Sequence, residues 1–432
     1  MEKLLSLLNG WWTEGEVPEE LAKPYVREPF ARILELLKYK QMVLLTGLRR
    51  VGKSTLMFQT IRHLLREGIP PRHLLYFSFD ERVSDPLQVL DLYSNLTGVD
   101  WRRERIYVFL DEVQKLPGWA SKLKLLYDSC PNLKLFLSGS GGPMLEREAS
   151  SDLAGRYFSV RVGPLSLREF FEMSTGRRVE GELKLWEPEM GRFLERFMER
   201  PFPEVVGWEE RRKVEEYLGE SVLEKVVRKD LPQVFQGVNQ EALMRMLESF
   251  YSSPGMYLSP DSLARSLRMS KKNLLRHLSY LEFSCLIRVV RNYRPSLLVA
   301  SRKLKRVYPY HWALVWGLHL EVERGKLLES IVSSLLEAEY YWREGPKEVD
   351  FLLREEGRVI PVEVKTGEVE AGELKGMRHF MRSYGAGRGY VIYPGTEGRV
   401  WEFEEGRIEL VPLLKVCLYG RALFSKPLPS EP

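Results

Sequence analysis

Residues 42–68 read as an apolar run, a glycine-bearing loop and an amphipathic helix, and this stretch limits the fold most sharply. MVLLTG is short, continuous and apolar, the pattern of a buried strand. STLMFQTIRHLLREG places its apolar residues at helical spacing. Between them, Gly47-Leu48-Arg49-Arg50-Val51-Gly52-Lys53-Ser54-Thr55 fits G-x-x-x-x-G-K-[ST] in the strand-to-helix context that motif requires. The glycines let backbone N–H groups approach phosphates closely, and the helix N-terminus adds positive potential. All nine residues are therefore expected to bind a nucleotide. Lys53 should reach the β- and γ-phosphates, and Ser54 should ligate Mg²⁺.

LLYFSF (74–79), RIYVFLDE (105–112) and LKLFLSGS (133–140) are runs of the same apolar type, separated by helical patterns. That alternation predicts an α/β domain built on a parallel sheet. IYVFLDEVQ puts Asp111 and Glu112 at a strand end. Asp111 fits the acid that holds Mg²⁺, and Glu112 the general base that polarises an attacking water. LLYFSF stands between the two motifs, the order expected when an extra strand separates them. Ser138-Gly139-Ser140 either contacts the γ-phosphate or water, with Ser138 the candidate, or is a small-residue turn.

A chain of 432 residues suggests about three domains at ~150 residues each. Hydrophobic residues are 44%, enough for more than one core, which excludes a disordered or collagen-like chain. No apolar run nears the ~18 residues that span a bilayer. The N-terminal stretch, with Glu2 and no cleavage pattern, reads as an ordinary helix. Cys130, Cys285 and Cys417 lie far apart without metal spacing, so a reduced, cytoplasmic, zinc-free protein is expected. Asn and Gln total only 13, a bias that suits a thermophile.

Several segments resemble a known family. TGLRRVGKST, FLDEVQKLPGW, LSGSGGPML, LAGRYFSVRVGPLSLREFFE and EVDFLLRE…IPVEVKTG look like the AAA+-type ATPases of archaea and bacteria that carry a C-terminal region of unknown function. The resemblance covers most of the chain. It implies an AAA+-like ATPase domain (1–165), a helical connector (166–256), a winged helix (257–312) and a restriction-endonuclease-like domain (313–432). It implies that Lys53, Asp111 and Glu112 bind and hydrolyse ATP to ADP. Arg156, in LAGRYF, would sense the γ-phosphate in cis or act as a finger in trans. SGSGG departs from the family's run of serines and leaves the sensor residue open.

The net charge is +5, and it is unevenly spread. Residues 261–306 hold twelve Lys or Arg against Asp261 and Glu282, a segment of +10. Such a block is the footprint of a polyanion partner or a solvated face. LSPDSLARSLRMSKKNLLRHLSYLEFSCLIRVV reads as helix, turn, helix, strand. Leu274, Leu275, Leu278 and Leu281 would be the buried stripe of the second helix. Lys271, Lys272 and Arg276 would project outward toward a major groove. CLIRVVRNYRPSLLVA would form two wing strands, with Arg291 and Arg294 near phosphates. Winged helices also dock proteins, so a protein partner stays open.

In the last third, Glu363 and Lys365 of VIPVEVK share one strand face, and Asp350 of KEVDFLLRE would lie beside them. Glu329 in GKLLESIVSSLL adds a further acid. This is the D…E-x-K pattern of restriction-like nucleases, with Asp350 and Glu363 holding a divalent metal. The expected function is a cytoplasmic Mg²⁺-dependent ATPase acting on duplex DNA or a DNA-bound partner. Its rivals are a nucleotide-gated protein switch and an ATP-licensed nuclease. Self-association stays open, and no membrane partner is expected.

Overall fold

The computed structural model describes residues 1–81, 83–140, 143–294, 304–355 and 357–424. The N-terminal sheet has five parallel strands: β1 (Met42–Thr46), β2 (Leu74–Ser78), β3 (Ile106–Asp111), β4 (Leu133–Gly139) and β5 (Tyr157–Arg161). Their spatial order is β2-β3-β4-β1-β5. The strand that separates β1 from β3 is therefore β4, and β2 lies on the outer edge, which corrects the role expected of LLYFSF. Alternation along each strand feeds two cores. Met42, Leu44, Leu75 and Phe77 face one, while Val43, Leu45, Leu74 and Tyr76 face the other. The exposed edge of β2 is sealed by the N-terminal segment, where Asn9 donates to the Tyr76 carbonyl and accepts from its N–H.

A helical rod spans residues 211–234, widening to π-helical turns over Leu218–Glu224 and Val226–Asp230. It crosses the turn Trp312–Leu318 so closely that a Cβ on Gly219 would meet the Gly317 carbonyl oxygen at 2.7 Å. Three helices follow the rod, Gln240–Ser252, Pro260–Ser266 and Lys271–Phe283, the first capped by the Asn239 side chain and the third by that of Ser270.

The remaining strands are β6 (Met256–Leu258), β7 (Ile287–Asn292), β8 (Lys305–Pro309), β9 (Tyr340–Glu344), β10 (Lys347–Glu355), β11 (Arg358–Val364), β12 (Arg388–Tyr393), β13 (Arg399–Phe403) and β14 (Gly406–Pro412). They form one nine-stranded sheet in the order β13-β14-β12-β11-β10-β9-β7-β8-β6. β7 pairs antiparallel with β8, and pairs in parallel with β9 at Arg291–Tyr340 and Asn292–Tyr341. A single sheet thus runs through the boundary expected at 312/313. The expected second wing strand, SLLVA, lies outside the described residues, as do Arg302 and Lys303.

One apolar core is continuous from β1 through the rod and the Lys271–Phe283 helix to the C-terminal strands.

Candidate nucleotide site

The loop after β1 depends on its glycines. A Cβ on Gly47 would lie 2.0 Å from the Val162 carbonyl oxygen, so only glycine fits. Gly52, with φ +91°, turns the chain into the helix Lys53–Arg66. The loop is braced from behind by Arg27, which donates to the Val51 carbonyl at 2.6 Å and pairs with the buried Glu169. Glu169 belongs to LREFFE and forms a capping box with Ser166.

Lys53 is buried, and its ammonium donates to the carbonyls of Gly47 (3.1 Å) and Leu48 (2.7 Å). Burial lowers its pKa, opposed by the charges of Glu112 and Asp111. The Ser54 hydroxyl donates to Asp111 at 2.6 Å, and the Tyr76 hydroxyl donates to the same carboxylate at 2.8 Å. Glu112 adopts a left-handed backbone with φ +54°. Its carboxylate accepts from Gln114 Nε2 at 2.5 Å and from Ser140 Oγ at 2.8 Å. These groups border a cleft of about 940 Å³, whose walls include Tyr25, Arg49, Arg50 and Lys53. Hydroxyl and carboxylate oxygens beside a buried ammonium suit Mg²⁺ and the phosphates it accompanies.

Two expected residues fall elsewhere. Ser138 is fully buried and donates to Asp111, because β4 continues to Gly139 and keeps that hydroxyl inside the sheet. Ser140, one step past the strand, lines the cleft instead. Arg156 lies at the opposite edge of the sheet, where its carbonyl accepts from the N–H of Met42 at the start of β1. Five strand residues of about 3.3 Å each separate that edge from the loop. Its guanidinium pairs with Asp128, and it is not among the walls of the cleft. Arg161, at the far end of β5, lies level with the strand end from which the loop leaves. It pairs in register with Thr46, and its guanidinium reaches Glu337 at 2.6 Å and Glu146 at 3.5 Å.

On the helix Lys271–Phe283, Lys271, Lys272 and Arg276 are exposed. Leu275 is 43% exposed, and His277 takes its place in the buried stripe with Leu274, Leu278 and Leu281. The reason is helical geometry: Leu275 sits about 100° around the helix from Leu274, whereas 274, 277, 278 and 281 share one face. Arg291 is exposed on β7. Arg294 turns inward and donates to the Arg343 carbonyl at 2.5 Å. Arg306 is 3% exposed, so neither belongs to an open basic face.

Arg306 also settles the C-terminal carboxylates. Pairing of Phe351 with Val362 sets Asp350 opposite Glu363, as the hairpin reading required. The Arg306 guanidinium lies 2.5 Å from Glu329, 3.2 Å from Glu348 and 3.6 Å from Asp350. Lys365 lies 3.4 Å from Glu363. Burial, with Glu329 close by, raises Asp350 to about 6; burial, with Asp350 close by, raises Glu363 to about 7. The divalent metal expected at Asp350 and Glu363 would have to share these carboxylates with two cations. A guanidinium from β8 and a lysine supply the compensating positive charge, and no cluster of three or more metal-ligating side chains occurs among the described residues. The three cysteines are free, and no helix among the described residues is long and apolar enough to cross a membrane.

Residues 39–171 match the AAA domain family, and residues 195–315 and 324–416 match two domains of unknown function, DUF8612 and DUF4143. An uncharacterized protein of Methanocaldococcus jannaschii is 28% identical over 267 residues, covering 56% of this chain and 55% of its own length. The chain thus spans about half the length of that relative. An uncharacterized protein of Haemophilus influenzae is 24% identical over 353 residues, covering 76% of this chain and 84% of its own. Among solved structures, the Walker-type ATPase of Pyrococcus abyssi overlaps 67% of this chain and 93% of its own, with 18% identity and a TM-score of 0.38. AMPPCP-bound DnaA from Aquifex aeolicus overlaps 62% and 92%, with 13% identity and a TM-score of 0.28.

Proposed function

We propose, from the AAA-type phosphate-loop domain at residues 39–171, that the chain is a Mg²⁺-dependent ATPase that couples nucleotide state to duplex DNA or a DNA-bound partner. The observation that carries this reading is the convergence of Lys53, Ser54, Asp111 and Glu112 on one cleft. Lys53 would exchange its two carbonyl partners for phosphate oxygens. Ser54 and Asp111 would hold Mg²⁺, which neutralises charge on the β- and γ-phosphates. Glu112 would take a proton from the water that attacks the γ-phosphorus, leaving ADP and phosphate. The helix Lys271–Phe283 packs against Pro143–Asp152, which follows β4, so the cleft and the basic helix have a short mechanical route between them.

A second reading, a nucleotide-gated protein switch, is favoured by the inward turn of Arg294 and Arg306, which thins the basic face. Steady-state ATP turnover with and without duplex DNA tests the choice. Stimulation by DNA supports the first reading. Turnover indifferent to DNA supports the second, and no turnover in any condition removes both.

A further inference from the structure

Asp230 closes the π-helical turns Val226–Asp230 and is held from two directions by cations of the nucleotide site. Arg49 Nη1 donates to its Oδ2 at 2.5 Å, and Lys115 Nζ lies 3.5 Å from its Oδ1. Arg49 is the third residue of the phosphate loop, and Lys115 the third residue beyond Glu112. Lys115 also donates to Asp80, just past β2. Arg49, Lys115, Asp80 and Asp230 balance to zero charge, with Arg49, Lys115 and Asp230 largely buried.

Two further observations tie this cluster to catalysis. A small cavity of about 10 Å³ is walled by Gln114, Ser140, Asp230 and Phe283. Gln114 Oε1 and Asp230 Oδ1 are both buried without a hydrogen-bond partner among the described residues, while Gln114 Nε2 donates to Glu112. Gln114, which donates to Glu112, and Asp230, which accepts from Arg49, thus wall one small cavity. Arg49, with burial, Arg50 and Lys229, lowers the pKa of Lys225 on the same rod, and Asp230 opposes that shift.

We infer that Asp230 is a nucleotide-gated latch on the rod at 211–234: bound phosphates compete with it for Arg49, and its release frees the π-helical turns. This deepens the ATPase reading and rests on it. The physical ground is charge balance. Arg49 lines the cleft, and a triphosphate brings several negative charges within its reach. The single positive charge of Arg49 cannot balance both anions, so phosphates that draw on its free donors loosen its hold on the Asp230 carboxylate. Asp230 is then left with Lys115 alone. π-helical turns are rare and frequent at functional sites, and relaxation of these turns to α-helical hydrogen bonding would be the rod's second arrangement.

The test uses the full chain, Mg²⁺ and a non-hydrolysable ATP analogue. Hydrogen exchange of amides 218–234 is followed with and without the analogue, and its affinity is measured by titration. In wild type, saturating analogue should speed exchange of these amides several-fold. Asp230→Asn should exchange fast without analogue and bind it about 3–10-fold more tightly, because the competing carboxylate charge is gone. A merely structural ion pair would, when lost, weaken binding or leave it unchanged. Analogue that binds wild type without moving exchange in 218–234 overturns the latch, as does Asp230→Asn binding no more tightly. Analogue that fails to bind wild type overturns the ATPase reading and the latch together. If Asp230→Asn does not fold, the wild-type exchange result decides alone.

Discussion

Arg306 donates to Glu329 across 2.5 Å, from a strand of the second sheet's β7–β8 ribbon to a helix of the last third of the chain. The same guanidinium approaches Glu348 and Asp350, and its Nε donates to the Gly255 carbonyl at 2.9 Å. One buried arginine therefore locks the basic segment to the carboxylates that its own sequence had suggested as a metal site.

Removing that guanidinium leaves several acids facing each other with little water. Arg306→Gln is expected to destabilise the fold by about 3–5 kcal/mol, read from chemical denaturation. If Asp350 and Glu363 hold a divalent metal, Mg²⁺ or Mn²⁺ without nucleotide should raise the Tm of wild type and not of Asp350→Asn. Equal shifts in both, or none, would leave the carboxylates as a salt-bridge cluster around Arg306 and Lys365.

Glu363 contributes a defined pH dependence. Burial raises its folded pKa from 4.5 to about 7, so the folded state binds more protons than the unfolded one between those values. Stability from this group is fully present below pH 4.5 and is lost as pH rises through about 7. Glu363→Gln should flatten the fall in Tm across that window and be the more stable protein at pH 8, by roughly 1–3 kcal/mol. Parallel pH profiles for the two proteins would show that the carboxyl ionises normally.

At the nucleotide site, Lys53→Ala should weaken ATP binding, since it removes the cation facing the β- and γ-phosphates. Glu112→Gln should keep binding and lose about 10²–10⁴-fold in turnover. Binding isotherms and phosphate release separate the two effects. Equal turnover in wild type and Glu112→Gln would remove the role given to Glu112.

Duplex binding, if it runs through the helix Lys271–Phe283, must weaken steeply with salt as counterions are released. Changing Lys271, Lys272 and Arg276 to Glu should abolish it while leaving Tm within a few degrees, because all three side chains are exposed. Anisotropy titrations at several salt concentrations give both slope and affinity. A triple mutant that binds duplex like wild type would point the partner search toward protein.

How much was readable in advance divides by the range of the interaction involved. The phosphate loop, Lys53, Ser54 and the Asp111–Glu112 pair were legible because local chemistry demands them. Gly47 stands where the Val162 carbonyl crowds any Cβ, Gly52 where φ is +91°, and a continuous apolar run precedes the loop. The Asp350–Glu363 juxtaposition was legible too, since a hairpin has one register that keeps its buried face. What depends on contacts distant in sequence was decided only by the tertiary structure. Strand order made β4, and not β2, the neighbour of both β1 and β3. Strand direction put Arg156 at the edge away from the loop and Arg161 level with the strand end from which the loop leaves. Packing of distant segments brought Asp230 to Arg49 and Arg306 to Glu329, pairs 181 and 23 residues apart. A charged side chain is read from sequence as solvated, but its destination is set by which buried opposite charges the fold brings within a few ångströms.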